Sequence, residues 1–341
     1  MPDNHTTPAA VTDPDSRAAQ TDAHQSVRGS VWLTAQRNSR SQRAHRFVPE
    51  SVAHPAKMLP EIVRHAITQY TEPGDLVVDP MCGIGTTLVE ALHLGRHGLG
   101  VEYEARWADL AEQNIDLARA QGATGYAEVV HADARHIAQV APPALIGKAA
   151  LVITSPPYGA SLHGQVQPTA ETGVAGVHKF DYQYSRDKGN LAHLPYGELI
   201  DGFAQILSGC RRLLRPGGVV AVTARPWREH GELVDLPSEV IEAGRRAGLT
   251  PIERCVALLA GVRDGELVAR PSFFQLSNIR RKREAGHPQS LIVHEDVLIF
   301  VNDNTAHPGA GRACPERQDD YESDPESEVG EYGSTSVLDC D

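Results

Sequence analysis

The sequence predicts an α/β fold, a doubly wound and mostly parallel sheet of seven strands with helices on both faces. Three observations predict it. From residue 61 to residue 301, strand-like runs alternate with segments of helical periodicity, the pattern of a parallel sheet with crossover helices. The first four runs are short and β-branched, as burial on both faces requires. The residues that follow these runs are glycines, carboxylates or prolines, and open α/β sheets bind ligands at the carboxyl ends of their strands.

The elements follow in order. EIVRHAITQY reads as a helix, with Ile62, Ala66 and Ile67 on one face. EPGD turns, and Leu76 to Asp79 is the first strand. Thr86 to Leu94 is a helix and His97 to Glu102 the second strand. Ala105 to Ala120 is a helix carrying Leu110, Ile115, Leu117 and Ala118. Ala127 to Asp133 and Ala149 to Thr154 are the third and fourth strands. Tyr196 to Leu214 is a helix closed by RPGG, and Val219 to Ala224 is the fifth strand. Leu236 to Ala247 is a helix, Arg254 to Ala260 the sixth strand and Ser290 to Val301 the seventh.

The 341 residues carry a formal net charge of −12, unevenly spread. Residues 302–341 hold 11 acidic residues against two arginines, whereas residues 31–301 are nearly neutral. The acidity therefore does not argue against a nucleic-acid partner. Residues 1–30 and the acidic tail 302–341 lack periodic apolar residues and read as disordered. A single domain is expected over 31–301, with insertions at 159–196 and 262–292. Cys82, Cys210, Cys255, Cys314 and Cys340 form no CxxC pair, which speaks against a zinc site and a disulfide framework. No signal layout and no apolar run near ~18–20 residues is present. The expectation is a cytoplasmic protein with no metal and no membrane partner.

The first strand ends in DPMCGIGTT, Asp79 to Thr87. Gly83 and Gly85 allow a ligand close to the backbone before Thr86 opens a helix. Leu88 stands where a third glycine would complete GxGxxG, so a dinucleotide loop, and with it a nicotinamide-dependent oxidoreductase, is the weaker reading. The second strand ends in Glu102, a position suited to ribose hydroxyls, and the third in Asp133. A nucleoside-like cofactor satisfies all three ends. The fourth strand runs into TSPPY. Neither proline can extend a ladder, and each restricts the residue before it to extended geometry. The result is a stiff stub holding Ser155 and Tyr158.

DPMCGIGTT and TSPPY, supported by HPAKMLP (His54 to Pro60), LLRPGG and HEDVLIF, make the chain resemble the amino-group DNA methyltransferases over roughly residues 45–301. These enzymes use S-adenosylmethionine and methylate N4 of cytosine or N6 of adenine. The resemblance implies a class I methyltransferase-like fold with its motifs in unpermuted order. It places Asp79, Gly83, Gly85 and Thr86 at the methionine side of the cofactor, Glu102 on the ribose and Asp133 on the adenine amino group, with Lys57 and Pro60 lining the pocket. Met81 and Ile84 depart from the family's usual Phe and Ser. The catalytic group it implies is Ser155, Pro156, Pro157 and Tyr158. The serine hydroxyl and the Pro156 carbonyl would accept the amine protons, Pro157 would keep that carbonyl aimed, and Tyr158 would stack on the base. Ser155 favours cytosine, since Asp or Asn at that position goes more with adenine.

Three stretches are candidates for nucleic-acid contact. Arg37, Arg40, Arg43 and Arg46 recur every third residue, and Arg280, Arg281, Lys282 and Arg283 form a run near Phe273, Phe274 and Gln275. Such residues attract phosphate. The third stretch, Gly159 to Tyr196, is long enough to be functional and is expected to close over an extruded base. DNA is the expected partner, with a restriction endonuclease or another specificity-supplying protein as a further one. An RNA N-methyltransferase and a non-catalytic nucleic-acid binder are the alternatives.

Overall fold

The computed structural model describes residues 29–157, 165–167, 178–180, 184, 187, 189–229, 232–270 and 273–303. The expectations for residues 1–28, for 304–341 and for Tyr158 lie outside those residues; Asn302, expected to begin the disordered tail, is instead buried and exchanges backbone bonds with Gly217 and Gly218.

The sheet has eight strands, not seven. Across it lie β1 (Val31–Trp32), β11 (Thr250–Leu258), β14 (His294–Val301), β8 (Leu214–Ala224), β5 (Ala149–Thr154), β2 (Leu76–Asp79), β3 (His97–Glu102) and β4 (Ala127–His131). Neighbours pair in parallel except on the two sides of β14, which runs against both β8 and β11. The unforeseen strand, β1, pairs Val31 and Trp32 with Val256 and Ala257. Two residues are too few to show a period of two. The helix before RPGG ends at Leu213, as expected, but RPGG is more than a stop. It lies inside β8, where Leu214 pairs with Ala149 and Gly217 N–H donates to the Asn302 carbonyl.

Alternation along the strands divides the core between the two faces. Val78, Val152 and Val222 join Phe203 and Leu207 of α6 (Tyr196–Leu213) and Val240 of α7 (Leu236–Arg246). Val77, Leu151 and Ile153 point the other way, onto Ile62, Val63 and Ile67 of α2 (Pro60–Tyr70). Beside that layer, α3 (Thr86–His93) and α4 (Ala105–Ala120) pack Leu88, Trp107 and Ile115 together. The glycines of HGLGVE explain how α3 comes so close. A Cβ on Gly98 would lie 2.9 Å from Leu88 Cδ2, and one on Gly100 would lie 2.7 Å from Leu88 Cδ1. Leu99 and Val101, alternating with them, supply the opposite face.

Two hairpins extend the fold. β12 (Gly261–Arg263) and β13 (Glu266–Val268) turn through Asp264 and Gly265, both at positive φ, which is the geometry that Asp-Gly supplies. β9 (Trp227–Glu229) pairs with β10 (Glu232–Val234). Within 159–196, β6 (Gln165–Gln167) pairs antiparallel with β7 (His178–Phe180). The basic run of 280–283 falls on α8 (Phe273–Glu284). Among the described residues no helix is long and apolar enough to cross a membrane.

Candidate functional site

Strand order reverses between β2 and β5. β2 continues toward β3 and β4, while β5 leads to β8. Ligands bind at such a switch point because the crossovers diverge there and leave a crevice. The glycine loop leaves β2, and Ser155-Pro156-Pro157 leaves β5. Val78 pairs with Val152, so the loop and the stub emerge side by side, one strand spacing of roughly 4.8 Å apart. Pro156 is buried, and Ser155 and Pro157 are half-buried.

The loop is fixed from three sides. Asp79 accepts the Met81 N–H at 3.1 Å and the Thr87 hydroxyl at 2.6 Å. Gly83 and Gly85 have φ of 52° and 77°, the left-handed region that glycine enters without penalty. Gly83 N–H donates to Glu102 Oε2 at 2.8 Å, and Glu104 N–H to Glu102 Oε1 at 2.9 Å. Thr86 is buried at the start of α3. Asn114 of α4, fully buried, donates to the Ile84 carbonyl at 2.9 Å and accepts the Val48 N–H at 2.8 Å.

HPAKMLP packs on the loop, chiefly through a residue that the sequence did not single out. His54 is buried, and its ring faces Trp107 edge-on at 4.6 Å between centroids. Its Nε2 lies 2.9 Å from where a Cβ of Gly83 would stand, so Gly83 is required by space as well as by φ. Burial, then the Lys57 charge, holds the imidazole down at about 3. Lys57 donates to the carbonyls of His54 at 2.5 Å and Val52 at 3.1 Å. Burial, then Arg43, lowers its ammonium to about 7. Pro60 is the first residue of α2, where a missing N–H costs nothing. Thr87, holding Asp79, is the other residue the sequence reading passed over; it lay hidden in an apparently ordinary first helical turn.

Burial raises the Asp79 carboxyl to about 6, against the opposing bonds from Thr87 and Met81. It raises Glu102 to about 7, against the N–H bonds of Glu104 and Gly83. At Asp133, burial pushes up, but the Arg135 guanidinium outweighs it and the carboxyl sits below its usual value. This donor set fits a cofactor bearing cationic groups and vicinal hydroxyls. A carboxylate has about four lone-pair sites. Glu102 spends two on fixed N–H groups and has about two left to accept from a ligand.

The two basic series fare differently. Arg43 donates to the Met58 carbonyl at 2.6 Å and lies over Phe47, and burial lowers it to about 10. Arg46 makes a two-pronged contact with fully buried Glu90 at 3.1 and 2.8 Å, shared with Arg64 at 3.1 Å. Both therefore hold the fold together rather than offering a free cation to phosphate. Arg37 lies 3.9 Å from Glu61, and Arg40 sits on the short α1 (Ser39–Arg43). Arg280, Arg281 and Arg283 are exposed on α8, and Lys282 is half-buried. The two stretches are joined, since Arg263 and Arg270 donate to the Gln36 carbonyl and Arg270 to that of Ala35.

The family model for DNA methylases of the N6/N4 class matches residues 3–113. The matched stretch takes in HPAKMLP, the glycine loop and Glu102, and ends before β5. S-adenosylmethionine is the cofactor of this family. The type II methyltransferase M.BglII from Bacillus subtilis is 35% identical over 25% of this chain and 22% of its own length. A tRNA (guanine(10)-N2)-dimethyltransferase of Methanocaldococcus jannaschii is 30% identical over 35% of this chain and 34% of its own length. The DNA adenine methyltransferase YhdJ of Escherichia coli is 28% identical over 31% of this chain and 34% of its own length. The chain thus matches a fifth to a third of the length of these relatives. Among the described residues no group of three or more His, Cys, Asp or Glu is placed to hold a metal ion.

Proposed function

We propose that the protein is a DNA methyltransferase that moves the methyl group of S-adenosylmethionine to an exocyclic amine of an extruded base, with N4 of cytosine the favoured target. The observation that carries this reading is the emergence of the glycine loop and the Ser155-Pro-Pro stub from neighbouring parallel strands at the switch point. Asp79, Gly83, Gly85, Thr86 and Glu102 would hold the cofactor, with Asp133 at its adenine. His54 and Asn114 keep the loop in shape, and Lys57 and Pro60 fix the segment that carries His54. Bound there, the cofactor supplies an electrophilic methyl group on a sulfonium.

The chain's own task is to make the amine nucleophilic and to aim it. An exocyclic amine is a poor nucleophile because its lone pair is delocalised into the ring. Ser155 Oγ and the Pro156 carbonyl accept hydrogen bonds from its two N–H groups and turn the lone pair out of the ring. Pro157 keeps the carbonyl direction fixed, and Tyr158 would stack on the base. Positioning of this kind supplies most of the acceleration. Extruding the base costs a few kcal/mol of stacking, which phosphate contacts from α8 and from Arg37 and Arg40 would help to offset. A restriction endonuclease or another partner would supply a use or a specificity for the mark.

The test is expression in a host that lacks N4-methylcytosine, followed by mass spectrometry of nucleosides from its DNA, with Ser155→Ala as control. N4-methylcytosine absent from the control is the expected result. N6-methyladenine would keep the reaction and change the base. A second reading, methylation of RNA, is favoured by the similarity to a tRNA guanine methyltransferase. A methylated nucleoside found in the RNA fraction alone would establish it.

A further inference from the structure

Asp133 does not stand alone at the end of β4. Arg135, two residues on, grips it with Nε at 3.0 Å from Oδ1 and 2.9 Å from Oδ2, and with Nη2 at 2.6 Å from Oδ2. The Arg135 backbone N–H adds a bond to Oδ1 at 2.9 Å. The same Nη2 donates to the Gly189 carbonyl at 3.0 Å. Gly189 belongs to the returning limb of the insertion that follows the Ser155-Pro-Pro stub. That limb is tied to neighbouring strand ends at two more points. The Tyr103 hydroxyl donates to Asp187 at 2.9 Å, and Asn190 donates to buried Glu104 at 2.9 Å. A Cβ on Gly189 would lie 2.5 Å from the Tyr103 hydroxyl, so a larger residue there would push the Tyr103 ring aside.

We propose that Arg135 is a positioning residue, which sets the orientation of Asp133 for an adenine amino group and fastens the returning limb of the insertion to the same carboxylate. The proposal rests on the reading of Asp133 as the adenine-facing acid. A planar fork fixes a carboxylate in one plane, which an ammonium cannot do. The guanidinium and the backbone N–H occupy most of the roughly four lone-pair sites of Asp133. What remains points in one direction, so the carboxylate can discriminate for a donor placed there. An unclamped aspartate would rotate and discriminate less.

The test compares two ligands on the full chain by titration calorimetry. One is S-adenosylhomocysteine. The other is S-inosylhomocysteine, in which a carbonyl replaces the 6-amino donor. The wild-type protein is expected to prefer the adenosyl ligand by about tenfold to a hundredfold, the range of one hydrogen bond to a charged group. Arg135→Gln should lose most of that preference while binding the inosyl ligand as the wild type does. Arg135→Lys, which keeps the charge but not the fork and so guards against a folding artefact, should lose part of it. A preference unchanged in both variants would overturn the proposal and leave the cofactor reading intact. A folded wild-type protein that binds neither ligand would overturn the cofactor reading and the proposal with it. A salt bridge that only stabilised the fold would weaken both ligands equally, and that outcome too would count against the positioning role.

Discussion

At the scale of single residues, the site turns on Asp79 and Glu102, two carboxylates that burial raises above their usual value. Glu102 shows the consequence. Its folded value of about 7 lies above the usual carboxylate value because burial outweighs two N–H bonds. Above pH 7 the group is ionised in folded and unfolded chains alike, and the folded state bears the cost of a buried charge, on the order of 3 kcal/mol. That cost disappears as pH falls through the folded value, because the folded chain then takes up the proton first. Ligand-free protein should therefore gain stability between pH 8 and pH 5.5 relative to Glu102→Gln, as measured by denaturant midpoints. Cofactor affinity should move the other way. Ribose hydroxyls donate best to the ionised form, so binding should weaken by up to about tenfold per pH unit below pH 7, and the slope should flatten in Glu102→Gln. A pH-independent dissociation constant in the wild type would remove Glu102 from the ribose. Arg46 gives a second residue-scale prediction. Glu90 is fully buried and is held by Arg46 and Arg64. Arg46→Met should cost about 1.5–3 kcal/mol, because buried Glu90 loses two charge-assisted hydrogen bonds and keeps only that of Arg64, with DNA affinity unchanged in the folded fraction. A variant as stable as the wild type but poor in DNA binding would return Arg46 to the phosphate-binding series.

Among elements, the loop between β2 and α3 concentrates the sequence constraints. Gly85 has a φ of 77°, and a Cβ there would stand 3.1 Å from Ala111 Cβ and 3.3 Å from Ala111 Cα. Gly85→Ala thus meets a conformational cost and a backbone of α4 that cannot rotate away. A loss of about 1–3 kcal/mol is expected, together with loss of cofactor binding, and thermal melts with and without S-adenosylmethionine would check both. This loop was legible in the sequence because glycines and a strand-end acid at fixed spacing have few other uses. The central strands were legible for a related reason, since Val77, Leu151 and Ile153 must be apolar to lie under α2. Three parts were hidden. β1 is two residues long and owes its existence to its partner β11. RPGG looked like a helix stop, yet pairing with β5 and Asn302 draws it into β8. His54 reads as one more histidine until it is seen packed on Gly83 and Trp107. In each case the deciding contact is distant in sequence, and local periodicity carries no trace of it.

For the whole molecule, the proposed function asks how a chain with net charge −12 would engage a polyanion. Its acidic excess lies largely beyond residue 301, and residues 31–301 are nearly neutral. Arg263 and Arg270 reach the Gln36 carbonyl, which ties the hairpin of β12 and β13, and through it the approach to α8, onto the segment that begins the arginine series. Since Arg43 and Arg46 are spent inside, the proposed DNA-binding surface has fewer candidate phosphate contacts than the sequence suggests, and on that reading α8 is expected to carry most of them. Each phosphate neutralised contributes about 0.9 to the slope of log affinity against log salt on duplex DNA. Replacing Arg280, Arg281, Lys282 and Arg283 together by alanine should therefore lower that slope by about 3–4 units and weaken binding at 100 mM salt by several hundredfold or more. Cofactor affinity should stay as it was, because the bonds that hold the glycine loop come from Asp79, Glu102 and Asn114. Filter binding on a duplex of fixed length, from 50 to 300 mM salt, gives both slopes directly. A slope unchanged in the variant would mean that DNA is held elsewhere, and the remaining place to look would be the insertion that Arg135 fastens to Asp133.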